Sequence, residues 1–440
     1  MKLVIRGGRV IDPAQGLDAI RDILVEGNRI KAVEPVLPDV PGAKNLNAAG
    51  LFVTPGLIDM HTHLREPGFE AKETILSGTQ AAAMGGYTTV ACMPNTSPVA
   101  DNQTVVAYIK ERARLEGLIN VLPIGCITKG SQGKELAEIG DLVSAGVVAL
   151  SDDGQPVMNA GLMRRALEYA GYFGIPVISH CEDTNMSAKG VVHEGYTATI
   201  AGLKGTPAAA EDVMTARETI LAELTGTPMH LAHVSTSGSV RLLKEAKKRG
   251  VKITGEVTPH HFTLSDAAIS NYDTNTKVNP PLRSAEHIAA LHQALAEGVI
   301  DVIASDHAPH ALEDKDVEFD RAAFGISGLE TALPLVVTQL ITPQIISWSH
   351  AISLLTANPA RILGIDRGTL AAGRIADITI IDPELELTVN VKNFASLGKN
   401  SPFNGWKLKG WPVTTIVSGN IVMHQRKLQS LKGDNSLAGD

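Results

Sequence analysis

Between residues 50 and 310 the chain repeats one pattern eight times: a short apolar stretch rich in Val, Ile and Thr, a polar tip, then a longer stretch with helical periodicity ending near Gly. The apolar stretches are VTPGLIDMHTH, YTTVACMPN, INVLPIGCIT, GVVALSDDG, IPVISHCED, PMHLAHVST, VKITGEVTPHH and IDVIASDHAPH. Segments such as NQTVVAYIKERARLEG, AGLMRRALEYAGYFG and AEDVMTARETILAELTG lie between them, with apolar residues at helical spacing. Parallel strands need a crossover for every connection, and eight strand-then-helix units close a sheet on itself. The expected fold class is therefore α/β, a (β/α)8 TIM barrel. An open doubly wound sheet would carry a Gly-rich phosphate loop after its first strand, and none is present.

The flanks have a different rhythm. KLVIRGGRVID and RDILVEGNRIKAVE at one end, and IADITIIDP, LELTVN and PVTTIVSGNIVMH at the other, predict short strands with turn signals. Chain termini often lie close together, so both ends can join one small sheet. We expect residues 1–54 and 367–440 to build a composite β-sandwich domain around a hydrolase barrel at 55–366. The final SLKGDNSLAGD is polar and should be frayed. With 44% hydrophobic and 20% charged residues, the chain can bury a large core, and disorder is not expected.

Several function classes fall away on charge and composition. The net charge is -8, and the basic run Lys244, Lys247, Lys248 and Arg249 sits on a helix face, which argues against a nucleic-acid partner. Cys92, Cys126 and Cys181 are too few for a disulfide framework and suit a reducing compartment. Arg6 and Gly7-Gly8 interrupt the N-terminal apolar stretch, and no apolar run reaches spanning length. These features predict a soluble, cytoplasmic protein without a membrane partner.

Barrel enzymes place their chemistry at the C-terminal ends of their strands. Here those ends carry His61 and His63, Asp152 and Asp153, His180, His233, and Asp306. Residues i and i+2 of a strand share a face, so His61 and His63 can grip one ion, with Asp59 one step deeper as a candidate hydrogen-bond acceptor. Burying four imidazoles and two carboxylates without a metal would be costly. Six ligands exceed the four around one catalytic zinc, so two divalent ions, Zn²⁺ or a neighbour, fit better than one. Spacing leaves open whether Asp152 or Asp153 bridges them. His230 should face outward. Glu256, His260 and His261 read as packing or supporting groups, and Cys181 as simple burial.

At this point a family pattern emerges. Pro55 to His63 resembles the signature of the amidohydrolase superfamily. HTHLREPG (61–68), ACMPNTSPV (91–99), SDDG (151–154), ISHCED (178–183), KVNPPLR (277–283), SDHAPH (305–310) and FGISGLE (324–330) are similar to the long-chain bacterial dihydroorotases, in order and over nearly the whole chain. The resemblance implies that His61 and His63 hold the first ion with Asp306, that His180 and His233 hold the second, and that Asp153 bridges. Hydantoinases, dihydropyrimidinases and allantoinases of the superfamily bridge with a carboxylated lysine on strand four, where this chain has aspartates.

The implied reaction is the reversible cyclisation of N-carbamoyl-L-aspartate to L-dihydroorotate in pyrimidine biosynthesis, through a metal-bridging hydroxide with Asp306 as general acid and base. The small-molecule substrate would meet His63, Arg65, Asn95, Asn279, His310, and the backbone at Phe324 and Gly325, with Arg65 clamping its carboxylate. Residues 310–320 are long and polar enough for a lid or a disordered connection. Rival readings are another cyclic amidase, or an inert dihydroorotase-like scaffold subunit of aspartate transcarbamoylase. The assembly is open between a monomer, a homodimer and a complex with aspartate transcarbamoylase.

Overall fold

A computed structural model describes residues 2–429 of the chain, so the frayed-tail expectation for 430–440 lies outside the described residues. Each of the eight apolar stretches holds a barrel strand: Leu57–Thr62, Tyr87–Cys92, Asn120–Pro123, Leu150–Ser151, Val177–Ser179, Met229–Leu231, Ile253–Val257 and Val302–Ile303. The first three pair in one parallel sheet and the last five in another. Two parallel bridges, Gly125 to Leu150 and Thr62 to His307, join the sheets into a ring. Polar side chains start the returning helices. Thr74, Asn102, Asn159 and Thr236 each accept a backbone N–H of the first turn, which fixes where loop becomes helix.

The helices pack outside the strands through an apolar cluster that includes Val90, Val106, Leu142, Leu167, Leu231, Leu243, Val257 and Leu295. Another cluster draws Met60, Ala91, Ile124, Ala149, Ile178, Ala232 and Ala304 from around the ring. Mostly small residues at these positions let facing strands approach, leaving the wider polar mouth for the strand ends.

Both flanks come together in one nine-stranded sheet. Phe52–Pro55 is its junction: it runs parallel to Lys2–Asp12 and antiparallel to Ile378–Thr388, with Val53 opposite Ile380. Asp12 accepts from Thr369 Oγ1 at 2.8 Å and Leu370 N at 2.7 Å, tying the two chain ends a second time. IADITIIDP and LELTVN, read as separate strands, form the single strand Ile378–Thr388 with a register shift between Asp382 and Glu386. The turn signals there bend the strand without ending it. Residues 310–320 are ordered around the short helix Leu312–Lys315. Lys315 Nζ donates to the carbonyls of Thr274 (3.0 Å) and Ala323 (2.6 Å), and Lys72 pairs with Asp314 at 3.1 Å. Among the described residues, no helix is long and apolar enough to cross a membrane.

Val53 and Ile380 are both fully buried at the junction, at 0% and 1% exposure. Ile380→Ala should lower unfolding stability by about 2–4 kcal/mol through the cavity it leaves. An unchanged urea midpoint would mean that this pairing does not hold the ends together.

Candidate metal centre and active site

Strand Leu57–Thr62 ends in two imidazoles that meet two carboxylates arriving from strands four and eight. His61 Nε2 lies 3.5 Å from Asp153 Oδ2 and 3.4 Å from Asp306 Oδ1. His63 Nε2 lies 3.5 Å and 3.0 Å from the same two atoms. On the other side of Asp153, Oδ1 is 3.6 Å from His233 Nε2 and 3.9 Å from His180 Nδ1, and those two nitrogens are 2.8 Å apart. The Asp153 carboxylate thus turns one oxygen toward each pair of imidazoles. His233 and Asp306 both adopt positive φ, 32° and 47°, at the tips of their strands. Backbone strain of this kind concentrates at functional sites.

The two adjacent aspartates have different partners. Asp152 turns to the loop after strand three, accepting from Ile127 N at 2.8 Å, Thr128 N at 3.1 Å and the Thr128 hydroxyl. Asp153 Oδ1 and His61 Nε2 are buried with no hydrogen-bond partner among the described residues. Buried polar atoms without partners are rare, and two of them facing one centre lined by imidazole and carboxylate suit a divalent cation. Two residue groups have ligand atoms close enough to share an ion: His61, Asp153 and His233, and His61, His63 and Asp306. Burial alone would raise the Asp153 and Asp306 carboxyls, but the surrounding imidazoles hold both below the ordinary range.

A surrounding layer of hydrogen bonds orients the rings. Glu256 accepts from His61 Nδ1 at 2.5 Å, from His230 Nε2 at 3.1 Å and from His233 N at 3.2 Å. Asp59 is an acceptor, but of backbone groups: it takes the N–H of His61 (3.0 Å) and of Ser305 (3.1 Å). One expectation is corrected: His230 does not face outward but is fully buried against Glu256 and Thr254. Asn95 Oδ1 accepts from His63 Nδ1 at 2.9 Å. Glu182, which sequence reasoning passed over, lies 2.9 Å from His180 Nε2 and also accepts from Asn279 Nδ2 at 2.9 Å. In each case the outer ring nitrogen is engaged, so the inner one presents its lone pair to the centre. His261 is held by Thr258 Oγ1 and the Pro280 carbonyl, and Cys181 is buried, its thiol pushed up by burial.

The cavity above this centre measures about 160 Å³ and is lined by His63, Arg65, Asn95, Asp153, His180, His233, Asn279, Asp306, Phe324 and Gly325, with Gly154 and Ala308. Arg65 is half-buried and donates from Nε to the Pro309 carbonyl at 3.1 Å. Burial lowers its guanidinium to about 10, so it stays protonated at neutral pH. His310 is not among the lining residues; it stands behind Arg65, 3.3 Å from Nη2, and 2.8 Å from the Phe324 carbonyl. Burial, with the Arg65, Lys315 and Lys72 charges, depresses His310 to about 3, making it a neutral ring with a single N–H. If that proton sits on Nε2, it serves Phe324, and Arg65 Nη2 remains available to the cavity. Gly325 has φ 138°, and a Cβ there would stand 2.7 Å from the Ala308 carbonyl oxygen, so only glycine fits. Its N–H donates to the Lys277 carbonyl at 2.9 Å and its carbonyl accepts from Asn400 Nδ2 at 3.0 Å, so the turn is fixed by its own backbone groups.

The chain resembles known proteins along nearly its whole length. A family model described as dihydro-orotase-like matches residues 50–239, and one described as an amidohydrolase family matches 205–423. The dihydroorotase of Pelotomaculum thermopropionicum is 60% identical over 430 residues, covering 98% of this chain and 100% of the relative. That of Geobacter metallireducens is 54% identical over 422 residues, covering 96% and 99%. Among solved structures, the L-hydantoinase (dihydropyrimidinase) from Arthrobacter aurescens matches with a TM-score of 0.89 at 25% identity over 97% of each chain. On sequence identity of this extent over nearly its full length, the chain belongs to the dihydroorotase family of the amidohydrolases.

Proposed function

We propose that the chain is a cytoplasmic, metal-dependent dihydroorotase that interconverts N-carbamoyl-L-aspartate and L-dihydroorotate in pyrimidine biosynthesis. The reading is supported most by one arrangement: a protonated arginine with free N–H groups on the wall of a small cavity whose floor is the Asp153 and Asp306 carboxylates among four imidazoles. Residues 55–366 act as the catalytic barrel, with 1–54 and 367–440 as the supporting β domain.

His61, His63 and Asp306 would hold one divalent ion, His180 and His233 a second, and Asp153 both, with zinc the first candidate. Such ions lower the pKa of water to about 7 and polarise a carbonyl. Asp306 Oδ1, 3.0 Å from His63 Nε2, faces the cavity and takes the proton of the attacking water as the ring carbonyl is attacked. It then delivers that proton to the departing ring nitrogen. Arg65 binds the substrate carboxylate through Nη2 and Nη1, and Asn95, its oxygen engaged by His63, adds its Nδ2. Asn279 has its Nδ2 turned to Glu182, which leaves its oxygen to accept a ring N–H. Ring closure joins a carboxylate to an amide nitrogen with loss of water and consumes a proton, so acid favours closure and alkali opening.

A hydantoinase or allantoinase is the nearest rival, and the solved structure of highest similarity quoted above is a hydantoinase. The strand-four tip speaks against it: Ser151, Asp152 and Asp153 stand where the lysine-bridged members would carry lysine. Turnover of the purified chain on dihydroorotate, hydantoin and allantoin decides the matter, with loss on chelation and return with Zn²⁺ as the metal control.

Asp306→Asn should retain metal by elemental analysis yet lose at least about a hundredfold in kcat, the smaller end of general acid–base contributions; full activity would remove the proton-carrier role. Arg65→Ala should raise KM for dihydroorotate about ten- to hundredfold by losing a charge-assisted pair, and an unchanged KM would end the clamp idea. Glu182→Ala should weaken metal binding about ten- to hundredfold in chelator competition. Retained affinity would show that His180 is oriented without it.

A further inference from the structure

The run 324–330 begins at the catalytic cavity with Phe324 and Gly325, but its last residue, Glu330, opens into a different one. That second cavity, about 330 Å³, lies between the barrel and the C-terminal strands of the terminal sheet, within the size range of small-molecule sites. Glu330 is 4% exposed. Its Oε1 accepts the backbone N–H groups of Ala395 (2.8 Å) and Ser396 (3.2 Å), while Oε2 has no donor among the described residues. Burial pushes this carboxyl up to about 8, the signature of a group short of a partner.

Across the cavity stands Arg426, on the turn between strands Asn420–His424 and Lys427–Leu428. Its guanidinium lies 4.5 Å over the Trp411 ring and donates from Nη1 to the Pro412 carbonyl at 3.1 Å. No carboxylate pairs with it among the described residues. A buried carboxyl, protonated while it lacks a cationic partner, and a half-buried cation therefore share one cavity, each with free hydrogen-bonding capacity, and the cavity wall is lined by Met84, Leu387, Phe394 and Trp411 with Thr388, Asn390 and Asn393 at its polar side.

A carboxyl that a bound ammonium would ionise, and a guanidinium lining the same cavity with apolar side chains, complement a molecule that carries both charges on one end and a hydrocarbon body on the other. We propose that this cavity binds a zwitterionic α-amino acid with an apolar side chain, its ammonium donating to Glu330 Oε2, its carboxylate accepting from Arg426, and its side chain lying among Met84, Leu387, Phe394 and Trp411. A nucleotide is a poorer match, because a phosphate would find a single guanidinium. Lys399 is turned to the Phe394 and Ser396 carbonyls, both at 2.6 Å. An occupant would also bear on the loop 395–397, which Glu330 shares with Glu73. Leu397 N and Ser396 Oγ donate to Glu73, and Glu73 is 3.3 Å from His307, the residue after Asp306.

Equilibrium dialysis of the metal-replete chain with labelled L-phenylalanine and L-leucine tests the site. The equilibrated mixture of N-carbamoyl-L-aspartate and dihydroorotate, at saturation, keeps the catalytic cavity filled throughout. One bound equivalent is expected, with phenethylamine and 3-phenylpropionate, which each lack one charge, competing at least about tenfold less well. Glu330→Gln, which preserves the acceptor for Ala395 and Ser396, and Arg426→Gln should each weaken binding about tenfold or more, with circular dichroism confirming the fold. Should Glu330→Gln fail to fold, Arg426→Gln carries the test alone. Absence of binding at millimolar amino acid, equal binding of the one-charge analogues, or full binding in the folded variants would each overturn the proposal.

Discussion

Asp153 lies between two pairs of imidazoles with almost no solvent to share its charge, and the rest of the site is arranged to make that burial tolerable. A carboxylate in such surroundings needs a close positive partner, which divalent ions held by the inner nitrogens of His61, His63, His180 and His233, from three different strands, would supply. Those imidazoles in turn need fixed orientations. Glu256, Asn95 and Glu182 each take an outer ring nitrogen, or in the case of Glu256 two rings and a backbone N–H, so the inner nitrogens converge. Apart from His180 with Glu182, these contacts join residues from different strand ends or loops. A loop scaffold could not hold them to tenths of an ångström; a closed barrel can.

The terminal sheet contributes to the same rigidity. Phe52–Pro55, its junction strand, runs into barrel strand Leu57–Thr62 with only Gly56 between. Gly56 N donates to the Asp377 carbonyl at 2.8 Å, and any Cβ at this position would stand 2.1 Å from Thr88 Oγ1. The base of the strand that carries His61 and His63 is thus clamped between the sheet and strand two. The described parts of the two chain ends bring no residue to the cavity lining but brace the strand that does.

Much of this was legible in the sequence because it rests on local repeats. The strand-then-helix period marks the barrel, and the i, i+2 spacing of His61 and His63, with polar residues at the other strand tips, marks the groups that converge. Reading failed where the partner is distant or the backbone departs from ideal alternation. Asp59, placed beneath His61 by counting in twos, takes its backbone N–H, but the pairing of that strand shifts register between Asp59 and Thr62, and the ring turns to Glu256, which lies 195 positions away. No spacing rule connects residues so far apart. Glu182 escaped notice for a related reason: two residues beyond His180 it has left the strand, and only the fold brings Asn279 to it. Where Asp152 turns likewise depended on whether the loop after strand three offered it N–H groups.

The high structural similarity to a hydantoinase at 25% identity shows how little the barrel itself says about substrate. Both enzymes must hold a polarised cyclic amide over a cationic centre, and the shared strands and crossovers suffice for that. What differs is what the mouth offers beyond the reacting bond. Here a half-buried guanidinium is backed by the Pro309 carbonyl and a neutral His310, so it cannot retreat into solvent or find a carboxylate of its own. An uncharged ring substituent would leave that cation desolvated and unpaired, whereas a ring carboxylate would satisfy it. With Arg65 in the proposed role, selection would work as much by the penalty on ligands lacking the anion as by attraction to those that carry it.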